Sequence, residues 1–310
     1  MAQIPAGNLS HLRIALSFFS YCDRERGQVN ALADWPRAAY KACTKSRERP
    51  VPKEFEGKIV VVSGGSRGIG KAIATAFARE GAQVVLAAAS ADNLAAAAKS
   101  MAGGPAPMTV AGDLRTLAGC EQLFKAVNEK FKRCDILVNN AGATRGGNFF
   151  ELPDEAFVDG FALKYFAAVR LSRLFWPLLK ASHGSIINII GAAARTPGPD
   201  FLVGGSVNAA FANFAKGLAA IGNRDDVNVN VIHPGMVETD RVVTLFQQFA
   251  KANNTTPEEA RKNSLAKSGA RRIGQPEDIA ELVLFLARPQ ARHIQGAAIV
   301  VDGGTTTGLY

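Results

Sequence analysis

Residues 63–70 read SGGSRGIG, Ser63 to Gly70, directly after the apolar run KIVVV and directly before the amphipathic stretch GIGKAIATAFARE. An apolar segment of strand length, a glycine-rich turn and a helix in that order form the opening unit of a βαβ fold. Glycines let such a turn bend tightly and let its backbone approach a pyrophosphate. The helix behind it offers unpaired N–H groups and a partial positive charge. Gly64, Gly68 and Gly70 hold the turn positions, and Ser63, Ser66, Arg67 and Ile69 complete a candidate phosphate cradle.

Outward from this turn the pattern repeats. QVVLAAA, MTVAG, CDILVNN, GSIINII, VNVNVIHPG and AAIVVDGG read as six more strands, nearly all separated by Ala/Leu-rich helical stretches. Strands apolar on both faces that alternate with helices imply a parallel sheet covered on both sides. The expected architecture is α/β, a doubly wound parallel sheet of Rossmann type, with its ligand beyond the carboxyl ends of the strands. Two prolines in Arg49-Pro50-Val51-Pro52 mark a linker, which predicts an N-terminal extension over 1–55 and the dinucleotide-binding domain over 56–310.

Composition narrows the function classes. The 310 residues are 47% hydrophobic, enough for a large core. Net charge is +9, of which residues 1–50 contribute +4, and no basic run reaches five, so nucleic acid is not an expected partner. Cys22, Cys43, Cys120 and Cys134 lack CxxC spacing and neighbouring histidines, so neither a metal site nor a disulfide framework is expected. The apolar stretch LRIALSFFSYC is too short to span a bilayer, and its surroundings fit neither a secretory signal nor a transit peptide. No membrane partner and a cytoplasmic location are therefore expected.

The spacing of SGGSRGIG resembles the TGxxxGxG turn of the short-chain dehydrogenase/reductase family, with Ser63 in place of the threonine. Further motifs extend the resemblance over about 56–306. GDL at Gly112–Leu114 matches the family's adenine contact, which carries Asp113 and Leu114 into the cofactor site. NNAG places Asn140, Ala141 and Gly142 there, and HPGMVETD, similar to the PGxxxT element beside the nicotinamide, adds Pro234, Gly235 and Val237. RIGQPEDIAELVLFLA and IQGAAIVVDGG resemble the family's carboxyl end. The implied cofactor is NADP, with NAD possible: Ala88 and Ala89 occupy the slots where NAD binders carry an acid, and Arg67 either meets a 2′-phosphate or is a solvated residue at the helix start.

The family's chemistry uses an asparagine, a serine, a tyrosine and, four residues on, a lysine. Laid on this chain, those slots fall on Lys164, Gly191, Gly204 and Asn208. No tyrosine lies between Tyr165 and Tyr310, so no shift of register supplies the phenol. A substitute proton donor is then required, and Lys164 is the preferred candidate, with Asn208 as a hydrogen-bonding group on the ribose or substrate. Ser206 is a further local hydroxyl. Tyr165 is expected to pack elsewhere, and Arg195, Asp200 and His183 to be solvated.

Three functions follow in order of preference: an NAD(P)-dependent oxidoreductase of a carbonyl or alcohol with an atypical site, a catalytically silent relative that binds a dinucleotide or a partner, and a non-redox enzyme on the same scaffold. The segment from Arg241 to Lys267 is expected to cover the substrate. Its Leu245, Phe246 and Phe249 suggest an apolar small molecule. Small residues in GSVNAAFANFAKGLAAIG, with Phe211 and Phe214 read as surface groups, together with the helix FAAVRLSRLF, suggest a homodimer or homotetramer.

Overall fold

The computed structural model describes residues 53–308, so nearly all of the expected extension over 1–55 lies outside the described residues. Seven strands form one parallel sheet: β1 Ile59–Ser63, β2 Gln83–Ala88, β3 Met108–Ala111, β4 Ile136–Asn139, β5 Ser185–Ile189, β6 Asn228–Pro234 and β7 Ala298–Val301. Their order is β3-β2-β1-β4-β5-β6-β7. The chain winds outward from β1 to β3, then returns to the other side of β1 to begin β4. That reversal opens a crevice at the carboxyl ends of β1 and β4, the switch point where doubly wound sheets hold ligands.

The helices are α1 Gly68–Arg79, α2 Ala91–Lys99, α3 Leu117–Phe131, α4 Asp154–Gly160, α5 Ala167–Ser182, α6 Leu202–Asp225, α7 Asp240–Ala252, α8 Pro257–Ser268 and α9 Pro276–Ala287. Alternation along β1 shows why both faces need cover. Val60 and Val62 enter the core beneath α1 and α9, whereas Ile59 and Val61 enter the core beneath α3 and α5. Each such side chain stabilises by roughly 1.5–3 kcal/mol when fully buried. Phe55 joins the first core and packs edge-on against Phe77 at 4.9 Å, so the domain's packing begins within the last residues of the expected extension.

Three buried asparagines bridge the central strands. Asn139 donates to Asn188 at 2.9 Å and to Ser172 at 3.2 Å, Asn188 donates to the Asn230 carbonyl at 3.3 Å, and Asn230 donates to Ile294 at 2.7 Å. Buried amides persist only with such partners, and these tie β4, β5 and β6 together beneath the crevice. Asp135, at the start of β4, works similarly: burial opposes its charge, but Arg133, the Ile59 N–H and Lys58 hold its carboxyl below the usual range.

One sequence expectation is corrected here. Phe211 is not on the surface of α6; it is 1% exposed, packed among Ala168, Ile190, Ala215 and Val231. The alanines around it, read as a surface for another copy, also admit α6 close to the sheet of its own chain. Phe214 is partly buried beside Tyr165, with ring centroids 6.0 Å apart.

Candidate active site

The ends of β1 and β4 are locked together by the residues of SGG and NNAG. The Ser63 hydroxyl accepts the backbone N–H groups of Asn140 and Ala141 at 3.0 and 3.1 Å and donates to the Val138 carbonyl at 3.2 Å. Asn140 returns two bonds from its amide, to the carbonyls of Ser63 and Gly64 at 3.1 and 3.2 Å. The turn is then too tight for side chains. Gly64 has φ +68°, and a Cβ there would stand 2.9 Å from Ala141 Cα. A Cβ on Gly70 would stand 2.2 Å from the Gly64 carbonyl oxygen.

Helix α1 follows with no side-chain cap at Arg67 and no acid in its first turn. Its first N–H groups and dipole therefore point into the crevice uncompensated, an arrangement suited to phosphate oxygens. Thr239, from the PGxxxT element, closes the other side: a Cβ on Gly68 would meet its methyl at 3.2 Å. Asp113 stands at the end of β3, half exposed, accepting the Arg115 N–H at 3.0 Å, with Leu114 buried behind it. Pro234 ends β6, Gly235 packs against Asp302, and Val237 is buried in the bridge to Gly274. The fourteen residues named from Ser63 through Gly235 thus surround one crevice or its flank, together with Val237. Residues and geometry fit a dinucleotide: a Cβ-free turn, a free helix start, and an acid beside the second crossover.

Beyond the crevice the chain builds a second wall. Helices α4 and α5 run together through one wide turn, a π-helical segment Phe161–Phe166 that contains Lys164. Such turns concentrate at functional sites because they redirect a side chain that regular winding would place elsewhere. Here Lys164 lies over the NNAG loop, and a Cβ on Gly142 would collide with its Cδ at 2.9 Å. The side chain is partly buried and forms no ion pair among the described residues. Burial, then the nearby Arg241 charge, pushes its ammonium down to about 8.

Asn208, 2% exposed on α6, accepts the Gly191 N–H through Oδ1 at 3.2 Å. That contact brings the two segments after β5 and within α6 together and leaves the Asn208 Nδ2 donor uncommitted. Over Gly204 lies the ring of Phe201: a Cβ on that glycine would be 2.0 Å from the ring. The same ring packs on Gly146 and stands 6.0 Å from the guanidinium carbon of Arg241.

Other expectations resolve simply. Ser206 turns back to the carbonyls of Leu202 and Val203 at 2.8 and 3.1 Å, satisfied within its own helix. Tyr165 faces Phe161, Phe166 and Phe214 in edge-on contacts. His183 is exposed and contacts Asp226 at 2.7 Å.

Four residues of this region escaped the sequence reading. Thr239 was visible inside its motif. His233, just before Pro234, is buried and donates through Nδ1 to the Ile190 carbonyl at 2.8 Å; burial pushes its pKa below the usual value, so it is neutral near pH 7. Phe201 and Arg241 carry no motif, and only packing reveals them.

Comparison with known proteins assigns the class. The family model described as Enoyl-(Acyl carrier protein) reductase matches residues 64–306. The 3-oxoacyl-[acyl-carrier-protein] reductase FabG of Escherichia coli is 35% identical over 81% of this chain and 98% of its own length. The uncharacterized oxidoreductase YvaG of Bacillus subtilis is 30% identical over 83% of this chain and 98% of its own. Among solved structures, L-sorbose reductase from Gluconobacter frateurii, complexed with NADPH and L-sorbose, is 32% identical with a TM-score of 0.78, covering 84% of this chain and all of that one. The chain belongs to the short-chain dehydrogenase/reductase family and is an oxidoreductase.

Proposed function

We propose that this protein is an NADP-dependent oxidoreductase that reduces a carbonyl group, or oxidises the corresponding alcohol, with Lys164 as the proton donor and acceptor. The observation that carries the reading is the position of Lys164 against Gly142, at the mouth of the glycine crevice, with its ammonium held near neutrality. Ser63, Gly64, Ser66, Arg67, Gly68, Ile69 and Gly70 hold the pyrophosphate side of the cofactor, Asp113 and Leu114 the adenine side. Asn140, Ala141, Gly142, Pro234, Gly235 and Val237 frame the nicotinamide side. Support for NADP over NAD comes from Arg67, from the acid-free end of β2 and from NADPH in the L-sorbose reductase complex.

The bound coenzyme supplies a hydride. The protein then has to deliver a proton to the oxygen that gains negative charge, and an amine of pKa near 8 is matched to that task near neutral pH. Asn208 offers its free Nδ2 to the same oxygen or to the ribose. This division of labour departs from the family pattern, because the serine and tyrosine slots hold Gly191 and Gly204. The substrate is a small molecule with an apolar body, for which Phe201 provides a flat wall. Two structural details restrict the lid to a smaller apolar contribution than the sequence suggests: Phe246 is spent on the contact between α7 and α8, whereas Phe249 is exposed. No described helix is long and apolar enough to cross a membrane, and we place the protein in the cytoplasm as a homodimer or homotetramer.

A second reading has its own observation. The Phe201 ring fills the volume above Gly204, where the family places a phenol. A silent dinucleotide-binding relative would need no group there. Fluorescence titration with NADPH and NADH, followed by turnover of a carbonyl and alcohol panel by the parent and Lys164→Ala, separates the two. The reductase reading expects tighter NADPH than NADH binding and turnover reduced about 10²–10⁴-fold by the substitution. Coenzyme binding without turnover of any compound supports the silent relative.

A further inference from the structure

We propose that the substrate of this site carries a carboxylate, and that Arg241 is the residue that selects it. The inference rests on the carbonyl-substrate reading above and adds the anionic handle. Arg241 lies at the start of α7, two residues beyond Thr239, where the lid meets the crevice. Both of its polar contacts use Nη2, which donates to the carbonyl of Thr144 at 2.8 Å and to the Thr144 hydroxyl at 3.4 Å. Nη1 and Nε remain free, and they form the edge of the guanidinium that takes a carboxylate through two parallel bonds.

The orientation of that edge is fixed from two sides. Thr144 anchors one end of the guanidinium, and the Phe201 ring lies beneath it at 6.0 Å. A planar cation held by a carbonyl and an aromatic face loses little freedom when it binds a planar anion. Lys164 meets the same loop two residues earlier, at Gly142, and its ammonium feels the Arg241 charge. Two cations therefore converge on one loop.

No acid of the protein answers them. Among the described residues neither cation forms an ion pair. Glu238, close in sequence, is taken by Arg261 at 2.7 Å, and Asp240 and Asp200 are exposed neighbours of Arg241 and Phe201 without a contact to either charge. Like charges held together without an anion raise the energy of the unliganded site, and a carboxylate supplied by the substrate relieves it. The substrate class is then an oxo acid with an apolar body, or the matching hydroxy acid.

Binding to the NADPH-loaded full chain tests this without turnover. The probes are 4-oxopentanoate and 2-oxohexanoate, each against its methyl ester, titrated by calorimetry into the parent, Arg241→Gln and Arg241→Lys. At least one acid is expected to bind about 10- to 100-fold more tightly than its ester, the size of a charged hydrogen-bonded contact. Arg241→Gln should bring acid and ester within threefold of each other while leaving NADPH affinity within threefold of the parent, and Arg241→Lys should keep part of the preference. Acids binding no better than esters, including no binding of either, would overturn the proposal. So would a tenfold loss of NADPH affinity in Arg241→Gln, which would assign Arg241 to the coenzyme's phosphates. Failure of the parent to bind NADPH at all would instead remove the carbonyl-reductase reading itself.

Discussion

Lys164 is charged at a cost in the folded chain, and that cost has consequences that can be measured. Its ammonium loses its proton near pH 8 in the fold and about two units higher when unfolded. Between those values the unfolded chain binds more protons, so stability should rise with pH through that window and the contribution should be flat below it. Lys164→Met should abolish the rise and stabilise the protein at pH 7 by roughly 1–2 kcal/mol, a figure kept below the full shift because the side chain retains some contact with water. Urea unfolding of both proteins at pH 7 and pH 10 checks it. Gly204 gives a second prediction at this scale. Because the Phe201 ring stands 2.0 Å from where a Cβ would lie, Gly204→Tyr alone should destabilise by about 1–3 kcal/mol and restore no activity. Combining it with Phe201→Ala should recover the stability, as thermal unfolding would show.

At the scale of elements, the turn between β1 and α1 makes the sharpest demand. Gly70→Ala would force a Cβ to 2.2 Å from the Gly64 carbonyl, so the turn has to open. NADPH affinity is expected to fall at least about tenfold, since the helix N–H groups would no longer converge; fluorescence titration reads this directly. This turn was legible in the sequence because its glycines sit between an apolar run and an amphipathic one, and all seven strands were legible for the same reason. The wide turn over Phe161–Phe166 was not. A single extra residue in a helix leaves hydrophobic spacing almost unchanged, so periodicity reads straight through it. The burial of Phe211 was also misread, because an aromatic among alanines suits either the core or another copy. Lys164 was found through a motif slot, whereas Arg241 and Phe201 lie in stretches with no slot and are joined only by the packing of α6, α7 and the loop after β4.

At the scale of the whole molecule, a doubly wound sheet places everything reactive at one end. The switch point between β1 and β4 gathers the glycine turn, the NNAG loop, Lys164 and the start of α7 from segments far apart in sequence. Assembly is a separate question. Phe166 is 45% exposed, with Arg170 over its ring at 5.5 Å, at the edge of the helix pair expected to meet a second copy. Light scattering at micromolar concentration should give the mass of a dimer or tetramer for the parent and a smaller mass for Phe166→Asp, with NADPH binding retained in both; a monomeric parent would refute the assembly. The central claim is that an amine, rather than a phenol, moves the proton in this family member. Its most direct test is the titration of the Lys164 ammonium in the NADPH-loaded protein, followed by NMR of isotope-labelled lysine and assigned by Lys164→Arg. A midpoint near 8 is the expected result. A midpoint at the ordinary lysine value above 10 would contradict the account, because Lys164 would then be a solvated charge with no proton to give.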